Sequence, residues 1–153
     1  MNKKIKIFLG NDHAAYEQKE AIIKFLTNKG YDVVDLGAHP NEGRVDYPDY
    51  AFLVGNAVNK EKDSLGILLC GSGIGMCIAS GKVKNIRPAL LYNKEVAKLA
   101  KEHNNANVIC FGVRNFSVNE INEMINNFLD AHFLGERHEE RIEKIEDFES
   151  KNK

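Results

Sequence analysis

Five short runs rich in Val, Ile and Leu, namely IKIFLG (5–10), YDVVDL (31–36), LGILLC (65–70), RPALLY (87–92) and NVICFG (107–112), alternate with longer segments whose apolar residues recur three and four apart. Runs of this length and composition read as strands. Their near-continuous apolar character is what strands covered on both faces of a parallel sheet require. The segments between them, AAYEQKEAIIKFLTNKG, PDYAFLVGNAVNKEK, GIGMCIASGKV and KEVAKLAKEHNN, read as helices, with Gly30 as a stop and Pro48 as a start. Repeated strand–helix order calls for right-handed crossovers that place helices on both faces. The expected architecture is a three-layer α/β/α sandwich around a five-stranded parallel, Rossmann-like sheet. SVNEINEMINNFLDAHF adds a fifth helix, and from about residue 136 the charged ERHEERIEKIEDFES keeps helical spacing through Ile142, Ile145 and Phe148. That stripe is narrow, so this extended C-terminal helix suits docking on its own domain or on a second subunit.

At 153 residues the chain has the usual size of one domain, here 1–153, and it shows no repeat, low-complexity tract or linker. Its 21 basic and 22 acidic side chains nearly cancel and are scattered, which argues against nucleic acid or an anionic membrane surface as partner. No apolar stretch approaches the roughly 20 residues that span a bilayer, and the apolar part of MNKKIKIFLG is too short for a secretory signal. A cytoplasmic location is expected. Cys70, Cys77 and Cys110 are odd in number and lack zinc-ligand spacing, so neither a disulfide framework nor a structural metal is predicted.

In open parallel sheets, ligands bind beyond the carboxyl ends of the strands where strand order reverses. Two polar loops fall there. NDHAA follows the first strand and CGSGIG the third, and in the common doubly wound order these strands are neighbours, so the loops should face one pocket. Gly71, Gly73 and Gly75 make G-x-G-x-G, which is neither the G-x-G-x-x-G of a dinucleotide site nor a phosphate-binding P-loop, since Lys82 is followed by Val83. The glycines instead allow a backbone whose N–H groups converge on one point at a helix start, an arrangement that can hold a developing oxygen anion. Cys70 stands at its rim. As a base it could take a proton α to a carbonyl, as a nucleophile it could attack, and as a core residue it could simply end a strand. His13 and His103 complete a possible acid/base set or are structural. Arg137 and Arg141, four apart on one helix face, can share a phosphate or be solvated beside glutamates.

The chain resembles the ribose-5-phosphate isomerase B and galactose-6-phosphate isomerase family through GNDHAA, DYPDYA (46–51), CGSGIGMCIASGK (70–82), NIRPAL (85–90), EHNNANVICFGVR (102–114) and GERHEER (135–141), in the family's order and spacing. The resemblance implies an aldose–ketose isomerase without cofactor or metal, acting on ribose 5-phosphate, or alternatively on galactose or allose 6-phosphate. A non-catalytic sugar-phosphate-binding module is the reading from another class. Cys70 matches the proton-transferring base of one branch. The position where another branch carries a glutamate is Met76 here. Ser72 and the backbone of Gly71, Gly73, Ile74 and Gly75 match the loop that stabilises the enediolate, and Asp12 with His13 match substrate contacts. His103 matches the histidine that opens the sugar ring, Asn104 follows it in the binding pattern, and Arg114, Arg137 and Arg141 match phosphate-binding positions. The same resemblance implies a site shared between subunits of a homodimer, which can pair further into a dimer of dimers.

Overall fold

The computed structural model describes residues 4–152. Strands β1 (Lys6–Asn11), β2 (Asp32–Asp35), β3 (Leu65–Cys70), β4 (Pro88–Leu90) and β5 (Val108–Gly112) form one parallel sheet in the order β2-β1-β3-β5-β4. Helices α1 (Tyr16–Asn28), α2 (Tyr47–Lys60), α3 (Ile74–Ser80), α4 (Lys94–Glu102), α5 (Val118–Asp130) and α6 (Arg137–Lys151) complete the three layers. β3 is buried at all six positions, as its unbroken LGILLC demands. Its side chains alternate between two cores. Ile67 and Leu69 pack with Leu26 of α1, Ala97 of α4 and Ile125 of α5, whereas Leu68 and Cys70 pack with Val54 of α2 and Met76 of α3. Fully burying each such aliphatic side chain contributes about 1.5–3 kcal/mol.

The expected strands and helices are all present, with differences at two of them. RPALLY yields only three paired residues, because Pro88 has no N–H to donate and β4 is an edge strand bonded on one side to β5. The helix expected over GIGMCIASGKV is seven residues long, capped at Gly81. The opposite edge, β2, exposes Asp32 and Asp35, charges that discourage further strand pairing. Helix α5 starts with a capping box in which Ser117 and Glu120 bond each other's backbone N–H groups.

Helix α6 docks on its own chain at the amino-end pole of the sheet. Ile142 is buried, Glu149 accepts the Asn85 N–H at 2.8 Å, and Glu146 lies 3.4 Å from Arg87, the residue before β4. Ile145 and Phe148 are left 55% and 68% exposed. Among the described residues no helix is long and apolar enough to cross a membrane.

Candidate active site

The sequence-predicted residues gather at two poles of the sheet. At the carboxyl pole, Cys70 closes β3 and is buried at 5% exposure. Its carbonyl accepts the Val113 N–H at 2.9 Å and that of Gly71 accepts the Arg114 N–H at 3.1 Å, which pins the glycine loop to the end of β5. Gly73 adopts φ +79°, and a Cβ there would lie 2.8 Å from the Phe111 carbonyl carbon and 3.0 Å from the Gly112 nitrogen. Only glycine fits that turn. The turn aims the Gly73 N–H at Cys70 Sγ, 3.2 Å away, and the Ile74 N–H at Ser72 Oγ, also 3.2 Å away. Two of the loop's donors are thus held by side chains of the same stretch. The Arg114 guanidinium covers Gly71, where a Cβ would sit 2.8 Å from Nη1, and the Tyr47 ring covers Gly75 at 2.6 Å.

The β1 loop lies beside it, as the neighbouring strands require. The Asp12 N–H donates to the Leu69 carbonyl at 3.2 Å, and Asp12 Oδ1 accepts the Ala14 N–H at 2.9 Å to cap the single turn His13–Ala15. Beneath it Asn11, fully buried, donates through Nδ2 to the carbonyls of Asp12 (3.0 Å) and Ala38 (3.2 Å). Lys19 of α1, 3% exposed, donates to the same Ala38 carbonyl at 2.7 Å and pairs with Asp35 at 3.1 Å. His13 Nδ1 lies 3.1 Å from both the N and O of Val45, which ties the imidazole to the segment before α2. That segment is itself fastened: the Tyr50 hydroxyl donates to Glu42 at 2.8 Å and the Tyr16 hydroxyl to the Gly43 carbonyl at 2.5 Å. The carboxylate pushes the Tyr50 phenol up to about 12. In turn, the His39 N–H and the Tyr50 hydroxyl hold Glu42 below the usual carboxylate range.

His103, Asn104, Arg137 and Arg141 occupy the amino pole. His103 caps the carboxyl end of α4, which runs back from the end of β4, and its N–H donates to the Leu99 carbonyl at 2.8 Å. The carbonyls of Asn104 and Asn105 receive the Arg87 guanidinium at 3.3 and 2.9 Å, which fixes this corner at the strand starts. Arg137 and Arg141 stand exposed on the first turns of α6, and between them His138 is buried with its ring stacked on that of His103, centroids 4.2 Å apart and planes at 11°. A six-residue strand such as β3 spans about 17 Å. One chain therefore does not bring Cys70 and His103 together.

Sequence reasoning missed Asn11, Lys19, Tyr47 and His138. DYPDYA and GERHEER contain two of them, yet their spacing assigns neither a contact. Cys77 and Cys110 face each other: a hydrogen bond from Cys110 brings the half-buried Cys77 thiol down to about 7, while Cys110 is pushed up. A cavity of about 600 Å³ opens at the amino pole among Asn85, Arg87, Lys101 and His132 and includes none of the predicted site residues. Among the described residues no cluster of His, Cys, Asp and Glu is placed to hold a metal ion.

The family model described as Ribose/Galactose Isomerase matches residues 7–145. The chain belongs to the ribose/galactose isomerase family. A probable ribose-5-phosphate isomerase B from Mycoplasma genitalium is 44% identical over 140 residues, 91% of this chain and 92% of that protein. The crystal structure of ribose-5-phosphate isomerase B from the same organism, with bound ribulose-5-phosphate, superimposes with a TM-score of 0.94 at 41% identity, covering 99% of this chain and all of that one. The D-erythrulose-4-phosphate isomerase of Pectobacterium atrosepticum is 38% identical, covering 97% of this chain and 98% of that protein. Membership in the isomerase family makes the chain an isomerase, and the aldose–ketose chemistry that the resemblance implied belongs to the same class.

Proposed function

We propose that the protein interconverts ribose 5-phosphate and ribulose 5-phosphate in the cytoplasm through a cis-enediolate, with Cys70 as the base. The observation that carries this reading is the Gly73 N–H directed at Cys70 Sγ, on a loop beside which the Asp12 N–H to Leu69 carbonyl bond holds Asp12 and His13. In the opened aldose a base at Sγ takes the C2 proton and returns it to C1, while a proton passes from the O2 hydroxyl to O1. The loop N–H groups from Gly71 to Gly75 and the Ser72 hydroxyl stabilise the oxygen that carries the negative charge. His103 opens the furanose ring. Asp12, His13 and Asn104 contact the sugar, and Arg114, Arg137 and Arg141 hold the phosphate, whose binding energy places the reacting carbons.

Because Cys70 and His103 lie at opposite poles of one chain, the complete site needs a second copy, set so that the carboxyl pole of one subunit meets the amino pole of the other. Exposed Phe52 and Leu53 of α2 and Ile74 and Ile78 of α3, next to the glycine loop, provide apolar surface for that contact. The test is turnover of ribose 5-phosphate with EDTA present, beside the Cys70→Ala variant. The variant is expected to lose at least about 100-fold in kcat with KM little changed. Absence of turnover in the folded native protein, with ribose 5-phosphate, erythrose 4-phosphate or a hexose 6-phosphate, overturns the enzymatic reading in favour of a binding module. Preference for the tetrose or the hexose in kcat/KM changes the substrate while leaving the chemistry.

A further inference from the structure

We infer that His138 is a positioning residue for His103, holding that imidazole in a fixed plane for ring opening. Three observations carry this. The two rings stack at 4.2 Å and 11°. His138 is only 5% exposed, and its Nε2 is buried without a hydrogen-bond partner. Among the described residues no side-chain hydrogen bond orients the His103 ring, so the stack is the contact that sets its plane.

The chemistry of the buried ring fits a neutral platform better than a second proton donor. Protonating Nε2 would create a buried N–H with no acceptor, an expensive state. Burial, then His103, then Arg137 and Arg141, all push the His138 imidazole below its usual range, with Glu136 the one opposing charge. The proton of the neutral ring belongs on Nδ1. Helix α6 uses one stripe, His138 and Ile142, to dock, and the adjacent stripe presents Arg137 and Arg141 outward. The seating that fixes the His103 plane thereby also fixes both guanidinium groups, linking the ring-opening group to the phosphate anchor. Proton delivery to a ring oxygen depends on such alignment, and holding a group in a productive geometry rather than sampling rotamers changes rates by an order of magnitude or more.

This inference rests on His103 as the ring-opening group, so the experiment separates the two. kcat and KM for ribose 5-phosphate are measured for His103→Asn, His138→Ala, His138→Phe and the double variant His103→Asn/His138→Ala, with thermal melts confirming folding. His138→Ala is expected to lose about 10-fold in kcat with KM within about 2-fold, and His138→Phe, which keeps a flat ring, to recover to within about 3-fold of native. In the His103→Asn background, His138→Ala should change kcat by less than about 2-fold, because the group it positions is gone. Equal losses in both backgrounds, a loss confined to KM, or no loss from either His138 variant overturns the positioning role. If His138→Ala does not fold, His138→Leu, which fills the site without a flat ring, takes its place in the cycle: a loss of about 10-fold in kcat that disappears in the His103→Asn background supports the role, and native-like kcat or an equal loss in both backgrounds overturns it. A His103→Asn variant with native kcat overturns the ring-opening assignment itself, and the positioning role with it.

Discussion

A buried imidazole flanked by Arg137, Arg141 and a second histidine gives His138 a consequence for stability as well as for turnover. Its pKa is lowered in the folded chain, by burial first and by those neighbours next, with Glu136 acting against them. Below the unfolded value of about 6.5 the unfolded chain therefore binds more protons than the folded one, and the stability present above that pH is lost as the pH falls. Melting temperatures should drop more steeply between pH 7 and pH 5 in the native protein than in His138→Phe. Parallel slopes would show that the ring takes up protons equally in both states. At this scale Cys70, Asp12 and the glycines could be singled out from the sequence because the bonds Gly73 N–H to Cys70 Sγ, Ile74 N–H to Ser72 Oγ and Ala14 N–H to Asp12 Oδ1 each join residues within three positions. His138 was opaque because its partner lies 35 residues away, and Lys19 because the carbonyl it binds is 19 away.

Elements divide between those that support and those that aim. In the glycine loop, Gly73→Ala forces a side chain into positive φ and against the backbone of Phe111 and Gly112, so neither strain can be relieved by a rotamer change. We expect about 1–3 kcal/mol of destabilisation together with a large fall in kcat, since the N–H that points at Cys70 shifts with the turn. Ile125→Ala, in the fully buried face of α5, should cost about 2–5 kcal/mol yet leave the kcat of the folded fraction unchanged. Denaturant unfolding and active-site-normalised turnover on both variants check the contrast. A Gly73→Ala enzyme with native kcat would detach the loop geometry from catalysis. The helices and strands were legible because apolar periodicity follows burial, and β3 reads as a central strand by composition alone. The shortness of β4 and α3 and the seating of α6 were not, because they depend on an edge position, on where a turn bends and on which loops happen to lie beneath a stripe such as His138 and Ile142.

At the scale of the whole molecule, the separation of Cys70 from His103 decides what mixing experiments should show. If each site takes Cys70 from one subunit and His103 from the other, Cys70→Ala and His103→Asn homodimers each have two defective sites. Pairing the variants concentrates both defects in one site and leaves the other with native Cys70 and native His103. Random reassembly makes half of the dimers mixed, each with one intact site of two, so activity should return to about a quarter of native from two nearly inactive preparations. The recovery should require subunit exchange, and Ile78→Asp, which places a charge on the exposed apolar face of α3, should abolish both dimers and activity. If the mixture stays at the mean of its two components while exchange is verified by mass-tagged subunits, the site is contained in one chain, and the two poles serve different purposes. Recovery near a quarter would instead show that each site is built from the carboxyl pole of one subunit and the amino pole of the other, as the proposed roles of Cys70 and His103 require.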